Sequence, residues 1–570
     1  MCGIVGMVSP VSDRKERVQQ MLDSQHHRGP DYAGLYDIDS NATFGHNRLA
    51  IIDLTPDGNQ PFLSNTDRYC LTFNGEIYNY IELRKEIGNK YPFKTRGDVE
   101  VLLAAYIVWG DECLDKLIGM FSFAIWDRQE KKLFAARDRF GVKPFNYSLI
   151  DGNFMFSSEI KALWKSGLVE KKMKLSAWST HMTHALYPTM DGTFWEGVQQ
   201  LPAGHSITYE HNNLKVNRWY NFEQRVENVR ENLPIGEAQS KLKDLLLQSI
   251  KYRLRSDVKR GFNLSGGIDS SLLFSLIKSQ LDPALTKAYT FYSGHDGYDE
   301  IKWAGQVIEK ELTEWRKVPI TAAEIPSLAS FMTDKQDEPY SGIAVLAYAK
   351  TFEYARKDGH YVVLDGEGMD EQVLGYDYYT NNSNSIIQGL NHSSPVRPNC
   401  LDKDFLALAT KPQYDRPFDT DYENMQYRDI IYSKIPRSVR FNDRMSMAYS
   451  VELREPFLDH NLFEYNFSLP VEYKIREGQK KWMLRRILRE FIQGDISEAP
   501  KRPIQTPQRE WLAHDLKDWT ADYVALAIKK YDFLNGKEID KELDKFFKGE
   551  SDNSFYIWQW VGLGLFSEFN

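Results

Sequence analysis

The stretch NLSGGIDSS, residues 263–271, joins a short apolar run, RGFNL, to an apolar helical pattern, DSSLLFSLIKSQL. Ser265, Gly266 and Gly267 can present backbone N–H groups to an anion at the start of a helix, whose dipole favours negative charge. Asp269 and Ser270 follow in the first turn. The lysine of the G-x-x-x-x-G-K-[ST] loop is absent, so this is not that phosphate loop. Outward from it, strand and helix patterns alternate. KAYTFY (287–292) precedes DEIKWAGQVIEKEL (299–312), and HYVVL (360–364) follows AVLAYAKTFEYARK (344–357). This alternation predicts a parallel sheet covered by helices.

YVVLDGEGMDEQ (361–372) is a second strand end, where Asp365, Glu367, Asp370 and Glu371 are interleaved with Gly366 and Gly368. Glycines there let the backbone approach a ligand closely, and open α/β sheets bind ligands at the carboxyl ends of their strands. Upstream, an amphipathic helix is predicted from Ile235, and NFEQRVENVRENLP (221–234) reads as a charged linker. The first 160 residues differ. GIVGMV, ATFGHNRLAIIDL, RYCLTFNGEIYN, GMFSFAIWDRQEKKLFAARD and NFMFSSE read as strands, with VEVLLAAYIVWG and IELRKEIGNK as helices between them. Clusters of this kind predict a layered α+β domain. The remainder to Asn570 is mostly helical.

At 570 residues two or more domains are expected. A balance of 42% hydrophobic and 26% charged residues is that of an ordinary globular protein. The net charge of −9 argues against a nucleic-acid partner. No run of about 18 apolar residues appears, so no membrane span is predicted, and no signal peptide is read at the start. The cytoplasm is the expected compartment. Cys2, Cys70, Cys113 and Cys400 are far apart, which implies neither a disulfide framework nor a zinc site.

Cys2 directly follows the initiator Met. If Met1 is removed, the α-amine of Cys2 titrates near pH 8 and can take the thiol proton itself or through one water. Alone, the residue is equally a small buried hydrophobe. Its surroundings are more specific. HHRGPD (26–31), HNRLAIID (46–53), FNGEIYN (73–79), TRGDVEV (95–101) and RDRFGVKP (137–144) resemble, in order and spacing, the glutaminase domain of class II glutamine amidotransferases, over roughly residues 2–200. The resemblance implies Cys2 as nucleophile, with the Asn74 side chain and the Gly75 N–H as oxyanion donors. Losing one such donor typically costs about 3–4 kcal/mol. It further implies that Arg48 pairs with the glutamine α-carboxylate. Asp98, with Glu76, takes the α-ammonium, and backbone groups along Leu49, Ala50, Ile51 and Ile52 complete the pocket. Singly, Arg48 is also readable as a surface ion pair, and Asn74-Gly75 as a type I′ hairpin turn.

The form S-G-G-x-D-S resembles the pyrophosphate loop (PP-loop) of enzymes that cleave ATP to AMP and pyrophosphate. TFYSGHDGYDE (290–300), DEP (337–339), DGEGMDE (365–371), RFNDRMSMAYSVELREPFLD (440–459) and KKWMLRRIL (480–488) then resemble the synthetase domain of glutamine-hydrolysing asparagine synthetases. The fold implied is an N-terminal αββα Ntn-hydrolase sandwich (1–205), a linker (206–234) and an α/β PP-loop domain with a helical C-terminal part (235–570). Glutamine, ATP, Mg²⁺ and a carboxylate acceptor are the implied ligands, and a homodimer is left open. The implied chemistry is adenylation of the carboxylate, then amidation by ammonia that reaches it through an enclosed passage.

Residue by residue, the resemblance places Asn263, Ser265, Gly266, Gly267, Asp269, Ser270, Ser293, Asp365 and Gly366 at the nucleotide. It places Asp269 and Asp370 at the metal, Glu367 at adenylate formation and ammonia handling, and Lys481 at the departing phosphates. Arg444 and Glu452 read as structural. The synthetase half departs from the family pattern in several places. Asp365 stands where serine is usual, and Leu374-Gly375 where two glycines are usual. YSGIAVLAYAK (340–350), ELTEWRKV (311–318) and APKRPIQTPQREWL (499–512) also differ. Aspartate is the first acceptor expected, and another acid such as a sugar uronic acid is the alternative. A regulatory protein with a dead synthetase half is opposed by Ser265–Ser270, Glu367 and Lys481, which are all present.

Overall fold

The computed structural model describes residues 1–281, 286–308, 313–379, 394–492, 505–551 and 553–569. Residues 311, 312 and 499–504, within two of the divergent stretches, lie outside them.

Twelve strands build the N-terminal part: β1 (Gly3–Val8), β2 (Tyr32–Asp37), β3 (Ala42–Arg48), β4 (Phe62–Leu63), β5 (Tyr69–Ile77), β6 (Gly119–Asp127), β7 (Lys132–Arg137), β8 (Asn146–Ile150), β9 (Asn153–Ser157), β10 (Gln199–Gln200), β11 (His205–Glu210) and β12 (Asn213–Arg218). They form two six-stranded antiparallel sheets, ordered β10-β8-β9-β1-β3-β2 and β12-β11-β7-β6-β5-β4. The sequence pattern explains the layering. Along β1, Ile4 and Val8 enter a core shared with Cys70, Ala124 and Trp126 of the second sheet. Val5 and Met7, on the other face, pack on Val18, Met21 and Leu22 of the helix Arg14–Ser24. Leu71 and Phe73 likewise meet Val101, Leu102 and Ala105 of the helix Asp98–Trp109. Strands apolar on both faces must be covered on both faces, and the outcome is an αββα sandwich.

The linker expected over 206–234 needs correction here. Residues 206–218, assigned to a linker, are β11 and β12, because Ile207 and Tyr209 point into the inter-sheet core. Phe222–Val229, read as linker, is a helix capped by the Asn221 side chain, with Phe222 and Val226 fully buried. Asn74-Gly75 lies in the middle of β5 and is not a hairpin turn.

The following part holds a parallel sheet of β13 (Arg260–Asn263), β14 (Thr286–Tyr292), β15 (Glu314–Pro319), β16 (Val362–Leu364) and β17 (Glu452–Arg454), ordered β15-β14-β13-β16-β17. Phe262, Ala288, Val362 and Leu364 face Leu272, Leu276 and Val307 on one side. Tyr289, Val318, Val363 and Leu453 face Leu346 and Phe352 of the helix Ile343–Lys357 on the other. The chain runs β13 to β15 in one direction and returns to β16 and β17 on the opposite side of β13. The strand order therefore reverses between β13 and β16, the point at which such sheets bind ligands. Helices dominate from Gln508 onward, ending with Phe555–Ser567. Among the described residues, no helix is long and apolar enough to cross a membrane.

Candidate active sites

The first site gathers around Cys2. Gly3 is paired with Asn47 across the first sheet, which sets Cys2 beside Arg48 at the end of β3. Cys2 N–H donates to Asn74 Oδ1 of the second sheet at 2.9 Å, so the two sheets meet at this residue. Asn74 Nδ2 is buried and has no hydrogen-bond partner among the described residues, leaving a donor unspent. Gly75 has φ +143°, and a Cβ there would lie 2.1 Å from Met120 O, so only glycine fits. The Cys2 thiol faces the Leu49 carbonyl at 4.0 Å. Burial pushes the thiol pKa up, although the N-terminal ammonium pulls the other way, so the thiol needs a base to react.

Glu76, two residues after Asn74 on β5, and Asp98 are both buried. Asp98 Oδ2 accepts from Ile77 N–H at 2.9 Å, and Glu76 lies 3.4 Å from Arg454. Burial first, then the Glu452 charge, pushes the Glu76 carboxyl well up. Burial brings Asp98 to about 6. Two reluctant carboxylates side by side suit a cationic ligand, whose charge would lower both. Arg48 is placed differently from the expectation. Its guanidinium is spent on the 53–59 loop, donating to Thr55 O at 2.7 Å, Asn59 Oδ1 at 2.8 Å and Asp53 O. Of the backbone groups along Leu49–Ile52, Ala50 N–H already donates to Asp31 and Ile51 O already accepts from Asp257.

The second site is a cavity of about 850 Å³ at the carboxyl ends of β13 and β16. Asn263, Ser265, Gly267, Asp269, Ser270, Asp365, Gly366, Glu367, Asp370 and Lys481 all line it, as the motifs imply. Ser265 Oγ accepts from Gly267 N–H and bonds Ser270 Oγ, which holds the loop in shape at the start of the helix Ile268–Lys278. Gly266 has φ +78°, and a Cβ would meet Ala304 N at 2.4 Å, so this glycine serves packing against the helix Ile301–Ile308 and does not line the cavity. Ser293 is the other expected nucleotide contact that does not line it. Its N–H and hydroxyl both donate to Asp299, at 2.7 and 2.8 Å.

Lys481 Nζ sits 2.5 Å from both Asp269 Oδ2 and Asp370 Oδ1. One cation thus spans two helix starts that the chain supplies separately. Asp365, the unusual residue, does not turn away. Its Oδ2 accepts from Asn263 Nδ2 at 2.9 Å and from the Tyr348 hydroxyl. Burial raises its pKa. Leu374, where the family pattern has glycine, takes φ +57° and is fully buried beside Tyr378 and Tyr379. Glu371 is buried and accepts from Tyr376 OH at 2.7 Å. Burial, then Glu367 and Asp370, raise it to about 8.

Several site residues escaped the sequence reading. Glu455, held by Asn442 Nδ2 at 3.0 Å, is raised to about 8 by burial, with the Glu367 charge adding to the rise. Lys434, Arg437 and Ser438 of the helix Lys434–Met447 also line the cavity. Only the general rule that buried charges near a ligand matter could have suggested them, since their neighbours are distant in sequence. Lys434 stands over the Tyr376 and Tyr378 rings at 4.8 and 5.3 Å. Burial, then Arg437, lowers it to about 8. Below pH 8 it is charged and can hold an anion; above, it is neutral and cannot. The KM for an anionic ligand that Lys434 holds is therefore expected to rise by up to about tenfold per pH unit above about 8. Lys434→Met should flatten that rise; an unchanged slope in the variant would assign it to another group.

The two sites are joined by charged contacts. The Met1 amine lies 2.8 Å from Glu452, Arg444 lies 3.2 Å from Glu159, and Lys143 Nζ donates to Leu453 O at 3.3 Å. Arg444 and Glu452, read as structural, thus lie where the halves meet.

Comparison with known proteins agrees with this geometry. Residues 1–220 match the family model described as a glutamine amidotransferase domain, and residues 241–568 match that described as asparagine synthase. The chain is 29% identical to the glutamine-hydrolyzing asparagine synthetase 1 of Bacillus subtilis, across 98% of this chain and 95% of that protein. It is 28% identical to asparagine synthetase 3 of the same organism, across 99% and 95%. It is also 25% identical to Amidase chry2 of Gibberella zeae, across 96% and 95%. With its second family model covering more than half of its length, behind a glutamine amidotransferase domain, the chain belongs to the asparagine synthase family of glutamine-dependent ligases.

Proposed function

We propose that the protein hydrolyses glutamine at Cys2 and passes the ammonia to the β13–β16 cavity, where a carboxylate is adenylated by ATP and amidated. Aspartate, giving asparagine, is the first acceptor, in keeping with the names of the Bacillus relatives. The observation that carries the reading is β17. Glu452 at its start meets the amine of Met1, the residue before Cys2, and Glu455 just past its end feels the charge of Glu367. Both sites thus border the same three-residue strand.

Met1 is buried, with its amine on Glu452, so its removal belongs to synthesis, before the halves close. The amine then begins at Cys2 and takes the thiol proton. The thiolate attacks the glutamine side-chain amide, and Asn74 Nδ2 with the Gly75 N–H receives the developing oxyanion. Glu76 and Asp98 hold the substrate ammonium. Arg48 reaches the substrate carboxylate once it exchanges its loop carbonyls. The C–N bond then breaks, the Cys2 ammonium returns its proton to the departing nitrogen as ammonia leaves, and water hydrolyses the resulting thioester, releasing glutamate and restoring the thiol.

In the cavity the loop Ser265–Ser270 cradles the phosphates. An acceptor carboxylate oxygen attacks the α-phosphorus, the bond to the β-phosphate bridging oxygen breaks, and pyrophosphate departs with Lys481 as counter-charge. Ammonia then attacks the acyl carbon, AMP leaves, and one proton is lost; Glu367 takes it. Asp269 Oδ1 is buried without a hydrogen-bond partner among the described residues, and Asp370 lies across Lys481 from it. These hard oxygen donors fit Mg²⁺, which is commonly held by one or two carboxylates plus substrate phosphates. When bound it would neutralise phosphate charge.

A second acceptor class has one observation in its favour. The same cavity is lined by Trp178, Tyr187, Tyr340, Phe555 and Trp558, a wall suited to a larger acid such as a sugar uronic acid. An acceptor panel with glutamine and Mg-ATP, read as pyrophosphate release, separates the two. Release with aspartate, matched by asparagine, is expected. Release only with larger acids would overturn the aspartate reading and leave the ligase reading standing.

A further inference from the structure

The helix Lys434–Met447 touches both sites. Its first turns carry Lys434, Arg437 and Ser438 at the cavity, and its last turns carry Asp443 at the N-terminal half. Asp443 Oδ2 accepts from Arg28 Nη1 at 2.9 Å, and its Oδ1 accepts from Arg28 Nη2 at 3.2 Å. Arg28 is fully buried, and its Nε donates to the carbonyl of Cys2 at 3.0 Å. The main chain of the reacting residue is therefore held by a guanidinium whose plane is set by a carboxylate 415 residues away in sequence.

Among the described residues Arg28 has one other carboxylate partner, Glu159 at 3.1 Å. Glu159 is shared with His27 at 3.0 Å, Arg444 at 3.2 Å and Lys161 at 3.6 Å, so it cannot fix Arg28 by itself. A forked, charge-assisted pair fixes orientation as well as distance. Fixing the Cys2 carbonyl restrains the backbone that carries the thiol and the N–H now 2.9 Å from Asn74 Oδ1. Burial disfavours the charged form of Arg28, yet Asp443 and then Glu159 more than offset this, so the guanidinium stays charged.

We propose that Asp443 is a positioning residue for glutamine hydrolysis: the synthetase half, through Arg28, sets the geometry of Cys2. The proposal rests on the reading of Cys2 as nucleophile. It makes the glutaminase site incomplete without the second half of the chain, although Asp443 touches neither glutamine nor ammonia.

The test is Asp443→Asn in the full chain. Asparagine keeps the shape and one acceptor but loses the charge and the fork. Misplacement of a reacting group on the order of 1 Å costs up to about 100-fold. The kcat for glutamine hydrolysis is expected to fall roughly tenfold or more, with KM for glutamine within about twofold. Ammonia-dependent amide synthesis should stay within about threefold, and alkylation of Cys2 by iodoacetamide should slow in step with kcat. A purely structural role would lower both activities together, and that result, or an unchanged glutaminase, overturns the proposal. Should Asp443→Asn fold poorly, Arg28→Lys and Asp443→Glu supply a second measurement. Arg28→Lys should lower glutamine kcat selectively, and Asp443→Glu, which restores the charge, should recover part of it. Equal loss of both activities in these variants also overturns the proposal. Retained glutamine use in Cys2→Ala would instead overturn the nucleophile assignment, whatever the Asp443 variants do.

Discussion

Cys2→Ala is expected to abolish glutamine-dependent amide formation, by about 10³-fold or more, while ammonia-dependent formation continues within about twofold. The split follows from the separation of the sites. Cys2 lies at the junction of the two antiparallel sheets and does not line the β13–β16 cavity. Its substitution removes the nucleophile and leaves Lys481, Asp269 and Glu367 untouched. The substitution takes away one sulfur from a buried position, so the fold should tolerate it. The measurement is glutamate release set beside pyrophosphate release, with glutamine or with ammonium as nitrogen source. Loss of both activities would sink the two-site reading. An intact mass lacking Met1 is expected for the active protein, because only then is an amine placed to take the thiol proton.

Lys481→Ala is expected to act in the opposite sense. Pyrophosphate release should fall by about 10²–10³-fold, the range found when one group stabilising transition-state charge is removed. Glutamine hydrolysis should stay within about twofold. Lys481 contacts Asp269 and Asp370 at 2.5 Å each, so its loss leaves these two carboxylates and the departing pyrophosphate without the ammonium that lies between them. The site has little room to relax. A Cβ at Gly375 would lie 1.9 Å from Asp370 Oδ1 and 2.8 Å from Lys481 Cε, so the backbone presses against this pair. Lys481 itself has φ +58°, a left-handed conformation that places its stem at the helix start. ATP–pyrophosphate exchange with the acceptor present measures the adenylation step directly. An equal fall in glutamine hydrolysis would mean that the lysine holds the fold and not the phosphates.

Much of the fold was legible because its signals are local. Alternating apolar faces in GIVGMV and RYCLTFNGEIYN specify strands covered on both sides, which is the requirement of a four-layer sandwich. The βα alternation around Asn263 specifies a parallel sheet. The linker assignment failed because HSITYE and NLKVNR are too polar to announce a strand. Pairing with β7 and β11, not composition, makes them part of the second sheet. Asn74-Gly75 carries a turn signature that the extended partner β6 overrides.

At the sites the division is similar. Local motif geometry placed most of the expected cavity residues on one wall. It missed Ser293 and Gly266, whose groups serve the loop and helix packing instead. It gave Arg48 an open fork that the 53–59 loop in fact occupies. It placed Asp365 at the nucleotide but gave no partner for its carboxylate, which the distant Tyr348 and Asn263 supply.

By itself, then, the sequence pointed to two half-reactions, a thiol with its oxyanion donors and a phosphate loop with its acids, because each is carried by short motifs in a recognisable order along the chain. Only the tertiary structure decided how they are joined. Arg28 with Asp443, Met1 with Glu452 and Lys481 with Asp269 are 415, 451 and 212 residues apart. Opposite charges at such separations have no preferred partner along the chain. They find one only when burial removes water and leaves each charge just one or two counter-charges within reach.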